Sequence, residues 1–78
     1  MDSILKNLTP KQAKKFLEKN GFVLMNVRGD HFVYYKKVDG VIYTPSVIDN
    51  NKQLYKPNIL TMIRKSGIPE KEWAKFKK

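Results

Sequence analysis

The sequence predicts an α+β domain: a helix, three antiparallel strands and a second helix, closed by a short C-terminal helix. Three observations point there. Thr9-Pro10-Lys11-Gln12 is a helix start, the aromatic-rich stretch from His31 folds back at Asp39-Gly40, and Pro57 and Pro69 each open a further helical segment. At 78 residues the chain is expected to form one domain over 1–78, with one small core.

In the first helix, Thr9 can serve as N-cap, Pro10 suits the first helical position and Gln12 completes a capping box. Leu8 and Ala13 stand where a hydrophobic staple would place them. Ala13, Phe16 and Leu17 form an i, i+3, i+4 stripe, and Gly21 is the expected stop, so the helix spans about residues 10 to 20. Its outer face carries Lys11, Lys14, Lys15 and Lys19 against the single acid Glu18.

Phe22–Arg28 reads as a strand, Gly29-Asp30 as a turn, and His31–Val38 as a second strand rich in aromatic and β-branched residues. Asp39-Gly40 is a two-residue hairpin turn that returns Val41–Pro45 as the third strand. This turn fixes a register of Val38 with Val41, Lys36 with Tyr43 and Tyr34 with Pro45. One face then holds Phe32, Tyr34, Val38, Val41 and Tyr43 and is expected to be the core face. The other holds His31, Val33, Tyr35, Lys37, Ile42 and Thr44, which leaves His31 on an open face unless a bulge near the turn reverses it.

Ser46–Lys56 reads as a polar loop around Asp49-Asn50-Asn51-Lys52. In the second helix, Ile59, Leu60 and Ile63 form the expected buried stripe with Met62 at its edge. Arg64, Lys65 and Gly67 end that helix as the helix dipole and capping preferences ask. The last short helix carries Trp73 and Phe76, placed to fold back on the core.

Composition narrows the function. The chain has no cysteine and one histidine, which excludes a disulfide scaffold, a cysteine-ligated zinc site, a thiol nucleophile and a histidine-rich metal site. No metal or other cofactor is expected. No apolar run reaches membrane-spanning length and no signal-peptide core precedes the first helix, so no membrane association and a cytoplasmic location are expected. Sixteen Lys and Arg against seven Asp and Glu give a net charge of +9. Such an excess favours a polyanionic partner, above all nucleic acid.

His31, directly after Gly29-Asp30, is the one residue suited to moving protons near neutral pH. RNA cleavage needs a base for the 2′-hydroxyl or an acid for the leaving oxygen, with cations to hold the phosphate. An ordinary surface or structural histidine is the alternative. The phosphate-holding candidates are Lys11, Lys14 and Lys15 on the first helix and Arg28, Lys36 and Lys37 on the strands, with Gly29 letting the backbone set the histidine at an exposed edge. Tyr34, Tyr35 and Tyr43 could stack on bases, but cross-strand packing explains Tyr34 and Tyr43 better.

The order of these pieces resembles the HicA-type toxins of bacterial HicAB toxin–antitoxin systems. The likeness runs over about residues 9 to 72. It comprises the Lys-rich helix ending in Leu17-Glu18-Lys19-Asn20-Gly21-Phe22, then Gly29-Asp30-His31, the aromatic strand with its Asp-Gly hairpin, the strand ending in Pro45, and Leu54–Ile68 with Lys56-Pro57, Ile59-Leu60, Ile63 and Lys65-Ser66-Gly67-Ile68. The resemblance implies a fold like the double-stranded-RNA-binding domain. It also implies an mRNA-cleaving endoribonuclease that arrests translation and growth, His31 as the catalytic residue, and a HicB-type antitoxin as protein partner. Many such toxins carry a second histidine after the strand-ending proline, where this chain has Ser46, Val47 and Ile48, and a glycine after Lys-Pro, where it has Asn58. Two other classes remain open: an RNA-binding module that does not cleave, and an interaction domain for an acidic protein.

Overall fold

A computed structural model describes residues 8–50, 54 and 56–77. The chain runs α1 (Pro10–Lys19), β1 (Val23–Arg28), β2 (His31–Val38), β3 (Val41–Tyr43), β4 (Ser46–Ile48), α2 (Lys56–Ser66) and α3 (Glu70–Lys77). It is an α+β fold with an antiparallel sheet and three helices.

Both ends of α1 form as the sequence predicts. The Thr9 hydroxyl accepts from the Gln12 amide at 3.2 Å and the Gln12 side chain accepts from the Thr9 amide at 3.0 Å, closing the capping box. At the other end Gly21 takes φ +89°, its amide donates to the Glu18 carbonyl, and the Phe22 amide donates to that of Leu17. That pair of bonds is a Schellman stop, and it turns buried Phe22 into the core.

β2 is the central strand. β1 flanks it on one side, while β3 and β4 share the other. The β2–β3 register is the one the Asp39-Gly40 turn predicts: Lys36 with Tyr43, Lys37 with Ile42, Val38 with Val41. Asp39 and Gly40 both have positive φ (51° and 80°), the requirement of a type I′ turn. At the other hairpin only Gly29 does, at 61°, as a type II′ turn requires.

The third strand does not end at Pro45. Ser46–Ile48, expected to begin a polar loop, pairs with His31–Val33 as β4. Proline lacks an amide donor, yet the Pro45 carbonyl still accepts from the Tyr34 amide at 2.9 Å, and the ladder resumes beyond it. β3 and β4 are thus one bent strand. Of the expected loop, Asn51, Lys52, Gln53 and Tyr55 lie outside the described residues.

The helices cover the face that carries Tyr34. Leu17, Phe22, Tyr34, Val47, Ile59, Met62 and Trp73 are buried together, with Phe16 against Trp73 at 4.2 Å between ring centroids and against Phe76 at 5.0 Å. Val38 and Val41, expected on that face, lie at the hairpin tip beyond the helices and are exposed. The Tyr34 hydroxyl donates to Glu18 at 3.3 Å. Burial, the Glu18 charge and that hydrogen bond push the tyrosine's pKa up to about 12.

α2 is rotated from its expected face. Ile59, Met62 and Ser66 are buried, whereas Leu60 is exposed and Ile63 only partly covered. With 3.6 residues per turn, the buried stripe lies roughly 70° from one centred on Ile59, Leu60 and Ile63.

Candidate functional site

His31 is the first residue of β2 and follows the tight Gly29-Asp30 turn. Its neighbours across the sheet are Arg28 on β1 and Ile48 on β4. Strand alternation keeps its side chain off the helix-covered face, and that side chain is 54% exposed. No bulge at the Asp39-Gly40 turn reverses the faces, since Val38 pairs with Val41 and Lys36 with Tyr43. The irregularity lies in β1 between Leu24 and Asn26, which leaves His31 opposite Arg28. Asp30 Oδ1 sits 3.5 Å from His31 Nε2.

Beside the histidine a cleft of about 170 Å³ opens between β4 and α2. Its walls are His31, Ser46 and Ile48 from the sheet and Asn58, Thr61, Met62 and Lys65 from the helix. The rotation of α2 makes this wall: burying Met62 carries Asn58, Thr61 and Lys65 to the flank that meets the sheet edge. Ser46, Asn58, Thr61 and Lys65 were not among the site residues expected from the sequence. The i, i+3, i+7 spacing of Asn58, Thr61 and Lys65 was the available mark of a shared helix face.

The expected phosphate-holding residues separate. Arg28 and Gly29 stay at the histidine's end, and both are exposed. Gly29 has nothing within 4 Å of where a Cβ would stand, so φ alone calls for glycine there. Lys37 shares the histidine's face but lies six residues along the strand, roughly 20 Å away at about 3.3 Å per residue. Lys36, expected beside the histidine, points to the opposite face. Its Nζ donates to the Asn20 carbonyl at 2.6 Å and sits 5.6 Å from the centroid of the Phe22 ring, so it ties the end of α1 to the sheet. Lys14 is also committed: its Nζ bonds Asp49 Oδ2 at 2.6 Å and lies 3.5 Å from the Phe32 ring centroid. Lys11 and Lys15 project from α1 into solvent.

Tyr34 and Tyr43 pack inward, as cross-strand packing predicts, while Tyr35 stays half-buried on the histidine's face. Among the described residues no three His, Asp or Glu side chains gather as a metal site, and no helix is long and apolar enough to cross a membrane. Compared with known proteins, the chain matches no family model and no curated protein.

Proposed function

We propose that the protein is a HicA-type toxin: a metal-independent endoribonuclease that cleaves mRNA and is held in check by a HicB-type antitoxin. The observation that carries the reading is the setting of the chain's sole histidine. It is exposed at a turn, with Arg28 across the strand pair and a polar cleft beside it, in a chain of charge +9.

The chemistry is acid–base. His31 takes the proton from a ribose 2′-hydroxyl, whose oxygen attacks the adjacent phosphorus, or gives a proton to the departing 5′-oxygen as its bond to phosphorus breaks. One imidazole fills one of these roles at a time, and solvent or a lysine fills the other. Arg28 holds phosphate charge next to the imidazole. Lys11 and Lys15 hold the RNA backbone farther out, through charge rather than base readout. The antitoxin would meet a strongly basic surface, so an acidic contact face suits it.

The test is RNA cleavage in EDTA by wild type beside His31→Ala, with RNA binding followed in parallel. Cleavage by the wild type alone, with binding kept in both, is the expected result. Equal cleavage by the two would remove His31 from the mechanism. Binding without cleavage by either would leave an RNA-binding domain.

A further inference from the structure

We infer that the cleft between β4 and α2 is an oxyanion site, built around the Lys65 ammonium and seating a phosphodiester of the RNA against His31. The anion site rests on the cleft's own geometry; its identity as the phosphodiester seat rests on the ribonuclease reading.

The lining of the cleft has one sign. His31 and Lys65 are its titratable members, and none of its seven residues is acidic. No hydrogen bond or ion pair within the described residues engages the side chains of Lys65, Asn58 or Ser46. Three ammonium protons, two amide protons and a hydroxyl proton are therefore available in one small cavity. Thr61 differs, since its hydroxyl already donates to the Pro57 carbonyl at 3.0 Å, which leaves it as a wall rather than a donor. Ile48 and buried Met62 supply an apolar side. Donors beside apolar surface act on an anion more strongly than the same donors in open water.

Two carboxylates stand near the sheet wall, and neither lines the cleft. Asp30 sits on the turn beside the imidazole and outside the lining, and Asp49 is bonded to Lys14. Lys65 has no structural duty of the kind that occupies Lys14 and Lys36. A lysine without a hydrogen bond or ion pair, in the same cleft as a histidine and with no acid in the lining, has the chemistry that stabilises charge on a phosphoryl oxygen. Lys65 would touch the phosphate directly, and Asn58 and Ser46 would orient it.

The decisive experiment follows backbone amide signals by NMR while inorganic phosphate is added, and measures RNA cleavage at saturating and limiting RNA. Lys65→Met, Lys65→Arg and Asn58→Asp are compared with Lys71→Met, which removes one positive charge from an exposed position on α3 away from the cleft. Saturable shifts centred on Ser46, Asn58, Thr61 and Lys65 are expected. Lys65→Met and Asn58→Asp should abolish them, Lys65→Arg should keep them in part, and Lys71→Met should leave them whole. Cleavage at saturating RNA should fall about 10²-fold in Lys65→Met, as for the loss of one oxyanion donor. Shifts spread over the α1 lysines and indifferent to Lys65→Met would overturn the site. Phosphate seated in the cleft of a protein that cuts no RNA would keep the anion site and remove the ribonuclease. Histidine-dependent cleavage unchanged in Lys65→Met would keep the ribonuclease and remove Lys65 from it.

Discussion

Two clefts of the same volume, each about 170 Å³, open at opposite ends of β2, and each takes one basic side chain from that strand. At the far end the cleft is lined by Phe22, Lys36, Val38, Tyr43, Ser66, Gly67 and Ile68. Two of its polar side chains already have partners: Lys36 bonds the Asn20 carbonyl, and the Ser66 hydroxyl donates to the Ile63 carbonyl and accepts from the Ile68 amide. At the near end His31, Lys65, Asn58 and Ser46 face a similar space with their hydrogen-bonding capacity largely unspent. Size and charge do not separate the two clefts. What separates them is whether the polar side chains hold the fold together or are left unbonded, and under the proposed function the chemistry falls at the near end.

The sharpest way to break this contrast is to exchange the kind of damage each end suffers. His31→Ala should lower RNA cleavage by about 10² to 10⁴-fold, equivalent to about 3–5 kcal/mol of barrier. Its melting curve should stay within about 0.5 kcal/mol of wild type, because the side chain is exposed and its contact with Asp30 is an exposed surface pair. A collapse in stability without a specific loss of rate would make the histidine structural.

The glycines of the two ends should differ next. A Cβ at Gly67, where φ is +71°, would stand 2.5 Å from Cε1 of Tyr43. Gly67→Ala therefore combines a strained backbone with a steric clash and should cost roughly 2–5 kcal/mol. Gly29→Ala meets open space and should cost only the backbone part, about 1–2 kcal/mol. Denaturant titration of the pair measures the difference, and equal costs would show that the Tyr43 ring yields.

Lys36→Met should destabilise by about 1.5–3 kcal/mol, since it removes a charged hydrogen bond at the C-terminal end of α1. The folded fraction should still cut RNA at the wild-type rate. A cleavage defect without loss of stability would return Lys36 to the phosphate-holding set.

The last effect is confined to high pH and belongs to Tyr34. Its hydroxyl stays protonated in the folded state up to a pKa of about 12, above the ordinary value of 10. The folded state thus binds the proton more tightly than the unfolded chain. The resulting stability is fully present below pH 10 and is lost as pH climbs towards 12, by at most about 1.4 kcal/mol per pH unit. Tyr34→Phe should remove this component, so the gap between wild type and variant should narrow or reverse over that range. Parallel stability curves would exclude the tyrosine as its source.

The hairpins were legible in the sequence because their causes are local. Asp39-Gly40 and Gly29-Asp30 set both turns, and alternation from His31 gave the exposure of the histidine and the inward face of Tyr34, though not the place of Lys36 or the exposure of Val38. β4 was not legible, because a proline reads as a terminator until a partner strand is seen bonding its carbonyl. The buried face of α2 was not legible either. Leu60 and Ile63 make as apolar a stripe as Met62 does, and only docking against β4 decides between them. Lys65 was hidden for the same reason: at the end of a helix a lysine reads first as a dipole partner. Of the candidate site, only His31 and its turn followed from short-range pattern; the β4 part of the sheet wall and the whole helix wall depended on tertiary packing.

The bent strand formed by β3 and β4 also bears on how copies of this chain could join. β1 is exposed along its whole length and carries Val23, Leu24, Met25 and Val27, so one side of the sheet can accept another strand. The opposite side is only three residues long at β3, is interrupted by the missing amide of Pro45, and meets α2 at β4. A strand added from outside therefore finds a longer unbroken edge at β1 than on the opposite side, where the bend at Pro45 interrupts the ladder.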